Sequence, residues 1–151
     1  MAQAQKQVRI IEPLERFVYR INLVGCYARV SSDSADQLNS YNNQVDFYES
    51  YVNSLENSKL VKIYTDEGIT GTRMDKRDGF LQMIEDCRKG LINTIITKSI
   101  SRFARNITET LSVVRELKSI GVSVYFMTEK IDTAKMGSEM MLAVYAACAE
   151  I

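Results

Sequence analysis

The stretch Tyr19 to Ala28, YRINLVGCYA, is rich in β-branched and aromatic residues and reads as a strand. The polar run SSDSAD behind it offers loop and helix-capping chemistry. Beyond that run, Leu38, Tyr41, Val45, Tyr48, Val52 and Leu55 recur at spacings of three and four. That period predicts a helix of about five turns with one apolar face. A strand followed by an amphipathic helix is the opening unit of an α/β fold, and the chain repeats it. Lys59 to Thr65 (KLVKIYT) reads as a second strand. Phe80, Ile84 and Cys87 mark a short helix stopped near Gly90. Asn93 to Lys98 (NTIITK) reads as a buried third strand. A polar turn, SISRFARN, leads into a helix that opens on Asn106 and Glu109, a capping-box spacing, and ends at Gly121. Val122 to Met127 (VSVYFM) is the fourth strand, and a last helix begins near Ser138 and runs to the chain end without a stop signal. The expected fold is therefore α/β, a mostly parallel central sheet flanked by helices. Residues 1–18 read as an amino-terminal arm, residues 19–135 as the α/β domain, and residues 136–151 as the start of a longer helix.

The 151 residues suffice for one domain with a real core. Lys and Arg together number 19, and so do Asp and Glu, so net charge points to no particular partner. The absence of His removes Ser-His-Asp and Cys-His triads and every His-containing zinc site. Cys26, Cys87 and Cys148 are far apart and form neither a metal site nor a disulfide framework. No metal and no cofactor is expected, and a reducing, cytoplasmic setting fits this cysteine usage. The longest strongly apolar stretch, Met140 to Ala149, is too short to span a bilayer. The opening MAQAQKQVRI has no apolar core of a signal peptide, so no membrane partner is expected.

In parallel sheets the functional loops lie beyond the carboxyl ends of the strands. That rule selects residues 29–33, 66–77 and 99–106. The first segment carries Arg29, Ser31 and Ser32, and the second carries Arg73, Lys76 and Arg77. The third, with the strand end before it, carries Lys98, Ser101, Arg102 and Arg105. Guanidinium forks match phosphate oxygens, and a hydroxyl among them suggests attack on a phosphate with arginines stabilising the developing charge.

These segments resemble one family closely. Tyr27-Ala28-Arg29-Val30-Ser31-Ser32 is similar to the Y-x-R-V-S-[ST] signature of the serine recombinases, the resolvase/invertase family. Gln44 lies where that family has a glutamine on its first helix. Residues 64–71, YTDEGITG, resemble the strand-end motif of its larger members. Arg77-Asp78-Gly79-Phe80 is similar to the R-x-G-[LF] element, and residues 98–106, KSISRFARN, to the K-x-x-[DS]-R-[LF]-x-R block. Gly137-Ser138-Glu139-Met140 with Ala149-Glu150 resembles the opening of the long interface helix. Motifs in this order cover residues 19–151 and look most like the large integrases and transposases.

The resemblance implies a resolvase-like catalytic domain in which Ser31 attacks a DNA phosphodiester, leaving a 5′-phosphoserine link and a 3′-hydroxyl. It implies that Arg29, Arg77, Arg102 and Arg105 hold the scissile phosphate. Its implied partners are double-stranded DNA and further copies of the chain, as a dimer and a synaptic tetramer. The DNA-reading domains of the family are absent from these residues. Many small resolvases carry Asp where this chain has Ser101, so no carboxylate is available there as a base. An arginine-lowered Ser31, Asp66 and water stay open as the route for the serine proton.

Each residue also has a structural reading. Ser31 can be a helix cap, although Ser32 is the better cap. Arg102 and Arg105, three apart, can form a solvated helix face. Arg77 can pair with a nearby acid. Gln44 can be a structural hydrogen-bonder, and Lys98 can stabilise its loop. Met140, Met141, Tyr145 and Cys148 read as hydrophobic packing. At the level of the whole chain the alternatives are a receiver-like signalling domain and a non-catalytic assembly domain. The first needs an acidic Mg²⁺ pocket where this chain has Arg29.

Overall fold

The computed structural model describes residues 20–31, 34–68 and 77–149, with the backbone alone for residues 31, 34–38, 68 and 149. The elements are β1 (Asn22–Ser31), α1 (Ser34–Asn53), β2 (Ser58–Gly68), α2 (Asp78–Arg88), β3 (Thr94–Thr97), α3 (Ile100–Phe103), α4 (Ile107–Ser119), β4 (Ser123–Phe126), β5 (Ile131–Asp132) and α5 (Ser138–Ala149). They build one five-stranded sheet of order β2-β1-β3-β4-β5. The first four strands are parallel and β5 pairs antiparallel to β4. This is the mostly parallel α/β architecture expected from the alternation of strand and helix signals.

The two faces bury different residues, as a period of two requires. On one face Val24, Cys26, Ala28 and Ile96 pack against Tyr48 and Val52 of α1. On the other, Tyr27, Ile95, Val124 and Phe126 pack against α2, α4 and α5 through Phe80, Met83, Val114, Leu117 and Leu142. Tyr48 and Val52 are fully buried, which contributes about 1.5–3 kcal/mol for an apolar side chain of this size. Burial pushes the Tyr48 hydroxyl up to about 12 and the Cys26 and Cys87 thiols to about 12.

Several expectations need correction. Strand β1 runs on to Ser31, three residues past Ala28, because its backbone continues to pair with β2 as far as Ser31 opposite Gly68. Arg29 and Ser31 are thus the end of a strand and not a loop. For the same reason β2 runs through Asp66 and Glu67. A single helical turn, α3, replaces the expected polar turn. The fifth strand was not expected; it is two residues long and follows a turn with Lys130 at φ 55°. Met140, Met141, Tyr145 and Cys148, expected as hydrophobic packing, are exposed, while Leu142 of the same helix is fully buried. Helix α5 packs against α4 and β5. Tyr41, expected on the buried stripe of α1, is exposed.

Gly90 and Gly121 end their helices at φ 77° and 81°, as their position in the sequence predicts. Gly79 has a different role. A Cβ there would stand 2.3 Å from the Thr65 carbonyl oxygen, so only glycine lets α2 start against the end of β2. The arm of residues 1–18, together with Ser32, Arg73 and Lys76, lies outside the described residues.

Candidate active site

Strands β1 and β3 are parallel neighbours with Tyr27 opposite Thr97. Their carboxyl ends therefore bring Arg29 and Lys98 side by side, and α3 follows directly with Arg102. Helix α1 crosses back over the same face and supplies Gln44. These four residues line one groove of about 780 Å³, with Phe47 and Met127 on its wall. The Arg102 guanidinium donates to the Arg29 carbonyl at 3.4 Å. Gln44 donates to Ser40 at 3.3 Å, one turn earlier on α1. Among the described lining residues three are cationic and none is acidic. A cationic groove at a strand end suits an anion with several oxygens, and guanidinium can meet two of them at once. Ser31 ends the strand that carries Arg29, two residues further along the backbone.

Arg77 and Arg105 are placed elsewhere, on a second cavity of about 410 Å³ together with Phe80 and Glu109. Arg77 lies at the start of α2 with its side chain 12% exposed. It donates to Glu109 at 3.2 Å and to the carbonyl of Phe103. Its guanidinium lies 3.8 Å from the centroid of Phe80, a cation–π contact in a largely desolvated setting. Its Nε is buried with no acceptor. Arg105 is exposed between this cavity and a third, of about 250 Å³, that Ser101 and Tyr145 also line. The Ser101 hydroxyl is 3.1 Å from that of Ser99.

Asp66 is buried and fully engaged. One oxygen accepts from the Gly79 N–H at 2.7 Å, the other from the Phe80 N–H at 2.9 Å and the Tyr27 hydroxyl at 2.8 Å. From the end of β2 it caps the start of α2, beside Arg77. Burial first, and then the bond to Asp66, push the Tyr27 hydroxyl up to about 12.

The sequence-derived set therefore separates into Arg29, Gln44, Lys98 and Arg102 on one groove, Arg77 and Arg105 on another cavity, Asp66 beneath them, and Ser101 to the side. Sequence reasoning did not find Glu109 as a partner of two arginine residues, nor Tyr27 as the partner of Asp66. Only the capping-box spacing singled out Glu109. Among the described residues no three Cys, Asp or Glu side chains converge as metal ligands, and no helix is long and apolar enough to cross a membrane.

The parallel sheet with its antiparallel edge strand, and the arginine-rich rim at the strand ends, define a class: resolvase-type α/β domains. The family model of the resolvase N-terminal domain matches residues 24–151, and the chain belongs to this family, the catalytic domains of serine recombinases. The chain is 32% identical over 126 residues to the transposon Tn552 DNA-invertase BinR of Staphylococcus aureus, covering 82% of this chain and 58% of that protein. It spans a little over half the length of the curated relatives it matches. A resolvase family site-specific recombinase from Streptococcus pneumoniae superposes with a TM-score of 0.67 at 27% identity, over 85% of this chain and 86% of that one. The N-terminal catalytic domain of TP901-1 integrase shares the fold, with a TM-score of 0.65 at 24% identity, over 85% of this chain and 95% of that one.

Proposed function

We propose that this chain is the catalytic domain of a site-specific DNA recombinase that uses Ser31 as its nucleophile. The observation that carries the reading is the strand end Arg29-Val30-Ser31 beside a groove lined by Arg29, Gln44, Lys98 and Arg102. The Ser31 oxygen bonds to the phosphorus of a DNA phosphodiester and the bond from phosphorus to the 3′-oxygen breaks. The serine proton is lost, and the leaving 3′-oxygen takes up a proton to become a hydroxyl. The product is a 5′-phosphoserine that keeps the phosphodiester's energy, so the reverse attack by a 3′-hydroxyl rejoins the strand without ATP. Guanidinium groups on the groove stabilise the charge that builds on the phosphate oxygens. Double-stranded DNA is the substrate, and strand exchange takes place between copies of the chain assembled as a dimer and then a synaptic tetramer. The exposed Met140, Val144 and Tyr145 on α5 offer such a copy an apolar surface.

The test is covalent capture. With a suicide substrate that traps cleaved strands, the complete protein forms a protein–DNA adduct and Ser31→Ala forms none. A normal yield of adduct from Ser31→Ala would overturn the assignment.

A further inference from the structure

The spacing of Asn106 and Glu109 predicts a capping box, in which the Glu109 carboxylate returns to the Asn106 N–H. Only half of that box forms. The Asn106 side chain accepts from the Glu109 N–H at 2.8 Å. The Glu109 carboxylate goes elsewhere: one oxygen takes the Arg77 guanidinium at 3.2 Å and the other takes the Arg105 N–H at 3.0 Å. Arg77 in turn grips the Phe103 carbonyl. The result is a closed ring of contacts from Arg77 to Phe103, along the chain to Arg105, through Glu109 and back to Arg77. Ala104 and Asn106 are extended, at φ −143° and −149°, so the chain leaves helical geometry between α3 and α4.

From this geometry we infer that Glu109 is a positioning residue for the recombinase, one that sets Arg77 and Arg105 relative to each other. The inference rests on the reading of the chain as a serine recombinase with arginines on the scissile phosphate. A carboxylate that divides its two oxygens between a guanidinium and a backbone N–H fixes distance and direction together. A phosphate-binding fork works only when its donors meet the oxygens they serve, and a misplacement of about 1 Å costs on the order of 10²-fold in rate. The molecule also supplies a control. At the other end of the same two helices, Arg88 of α2 donates to Glu116 of α4 at 2.6 Å. That pair has the same chemistry and lies half-exposed, away from both cavities.

The experiment compares Glu109→Ala, Glu109→Gln and Glu116→Ala in the complete protein. The readouts are single-turnover cleavage of a suicide substrate, DNA affinity and melting temperature. Glu109→Ala should slow cleavage by roughly 10- to 100-fold with affinity within about 3-fold of the parent. Glu109→Gln keeps the volume and one acceptor oxygen and should lose less. Glu116→Ala should cleave at the parent rate. Cleavage within about 3-fold of the parent for both Glu109 variants would overturn the inference, and so would a fall in affinity that accounts for the whole rate loss. If Glu109→Ala fails to fold, Glu109→Gln decides by the same criteria. None of these results touches the Ser31 reading, which stands or falls on whether Ser31→Ala still forms the adduct.

Discussion

Replacing Asp66 by Asn tests how the start of α2 is built. The change conserves volume, so it opens no cavity. It removes one acceptor and one charge. The carboxylate receives three donors: the Gly79 N–H, the Phe80 N–H and the Tyr27 hydroxyl. A single amide oxygen can keep the pair that shares one oxygen, and the NH₂ then faces the Gly79 N–H, donor against donor. A buried donor left without a partner costs about 1–3 kcal/mol. Loss of a negative charge at a helix amino terminus costs about 0.3–1 kcal/mol more. The two bonds that remain fall from charge-assisted to neutral strength, so the total is roughly 2–5 kcal/mol. For a chain of this size that lowers the melting temperature by roughly 5–15 °C. Thermal unfolding followed by circular dichroism reads it directly, and the same substitution should cost less in a Tyr27→Phe background, where one donor is already gone. A loss under about 1 kcal/mol would refute the capping argument. If Asp66→Asn instead kept full stability and abolished cleavage, Asp66 would be a base after all.

The remaining predictions concern charge. Arg29→Ala and Arg102→Ala should each slow cleavage by about 10²–10³-fold in single turnover while DNA affinity changes little, and Arg→Lys should recover only part of the rate, since a point charge does not replace a fork. Parent-like rates in both alanine variants would remove the groove from the reaction. Tyr64 donates to Asp86 at 2.5 Å, and that bond holds the Asp86 carboxyl below its ordinary value against the opposing effect of burial. A carboxyl lowered in the folded state contributes stability that is present above its unfolded value, about 3.9, and lost as pH falls through the folded one. Tyr64→Phe should therefore cost about 1.5–3 kcal/mol at neutral pH, with the gap to the parent closing below about pH 4. A gap that is constant from pH 7 to pH 3 in denaturant titrations would contradict this.

The parts of the fold legible in the sequence are those where burial and period coincide. Ile95 and Ile96, Val124 and Phe126, and Tyr48 and Val52 are buried where their spacing puts them. The continuation of β1 was not legible, because Arg29 and Ser31 are held by backbone pairing that leaves no apolar pattern. Strand β5 was missed because two residues give no period. At the site, residue types and loop positions showed which side chains to examine, and of the cations expected on one rim Arg29, Lys98 and Arg102 line one groove. The split of the arginines was out of reach. Arg77 and Glu109 are 32 positions apart, and a contact at that separation leaves no mark in either neighbourhood.

The split itself follows from one residue. Arg102 and Arg105 stand three apart, and on an unbroken helix they would share a face. Helix α3 instead ends at Phe103, and Ala104 turns extended at φ −143° and ψ 160°. Phe103 is fully buried, with its ring centroid 5.2 Å from Phe80 and 5.4 Å from Phe126 in edge-on geometry. Such pairs are worth about 0.5–1.5 kcal/mol each beyond the area they bury, so the ring is a firm anchor. With the chain pinned there and its helix broken one residue later, Arg102 is left on the side of Arg29 and Lys98, while Arg105 is delivered to the side of Arg77. The apolar residue between the arginines thus does as much to shape the rim as the arginines themselves. Among the described residues the arginines are in this way divided between two surfaces, one on each side of a single helical turn.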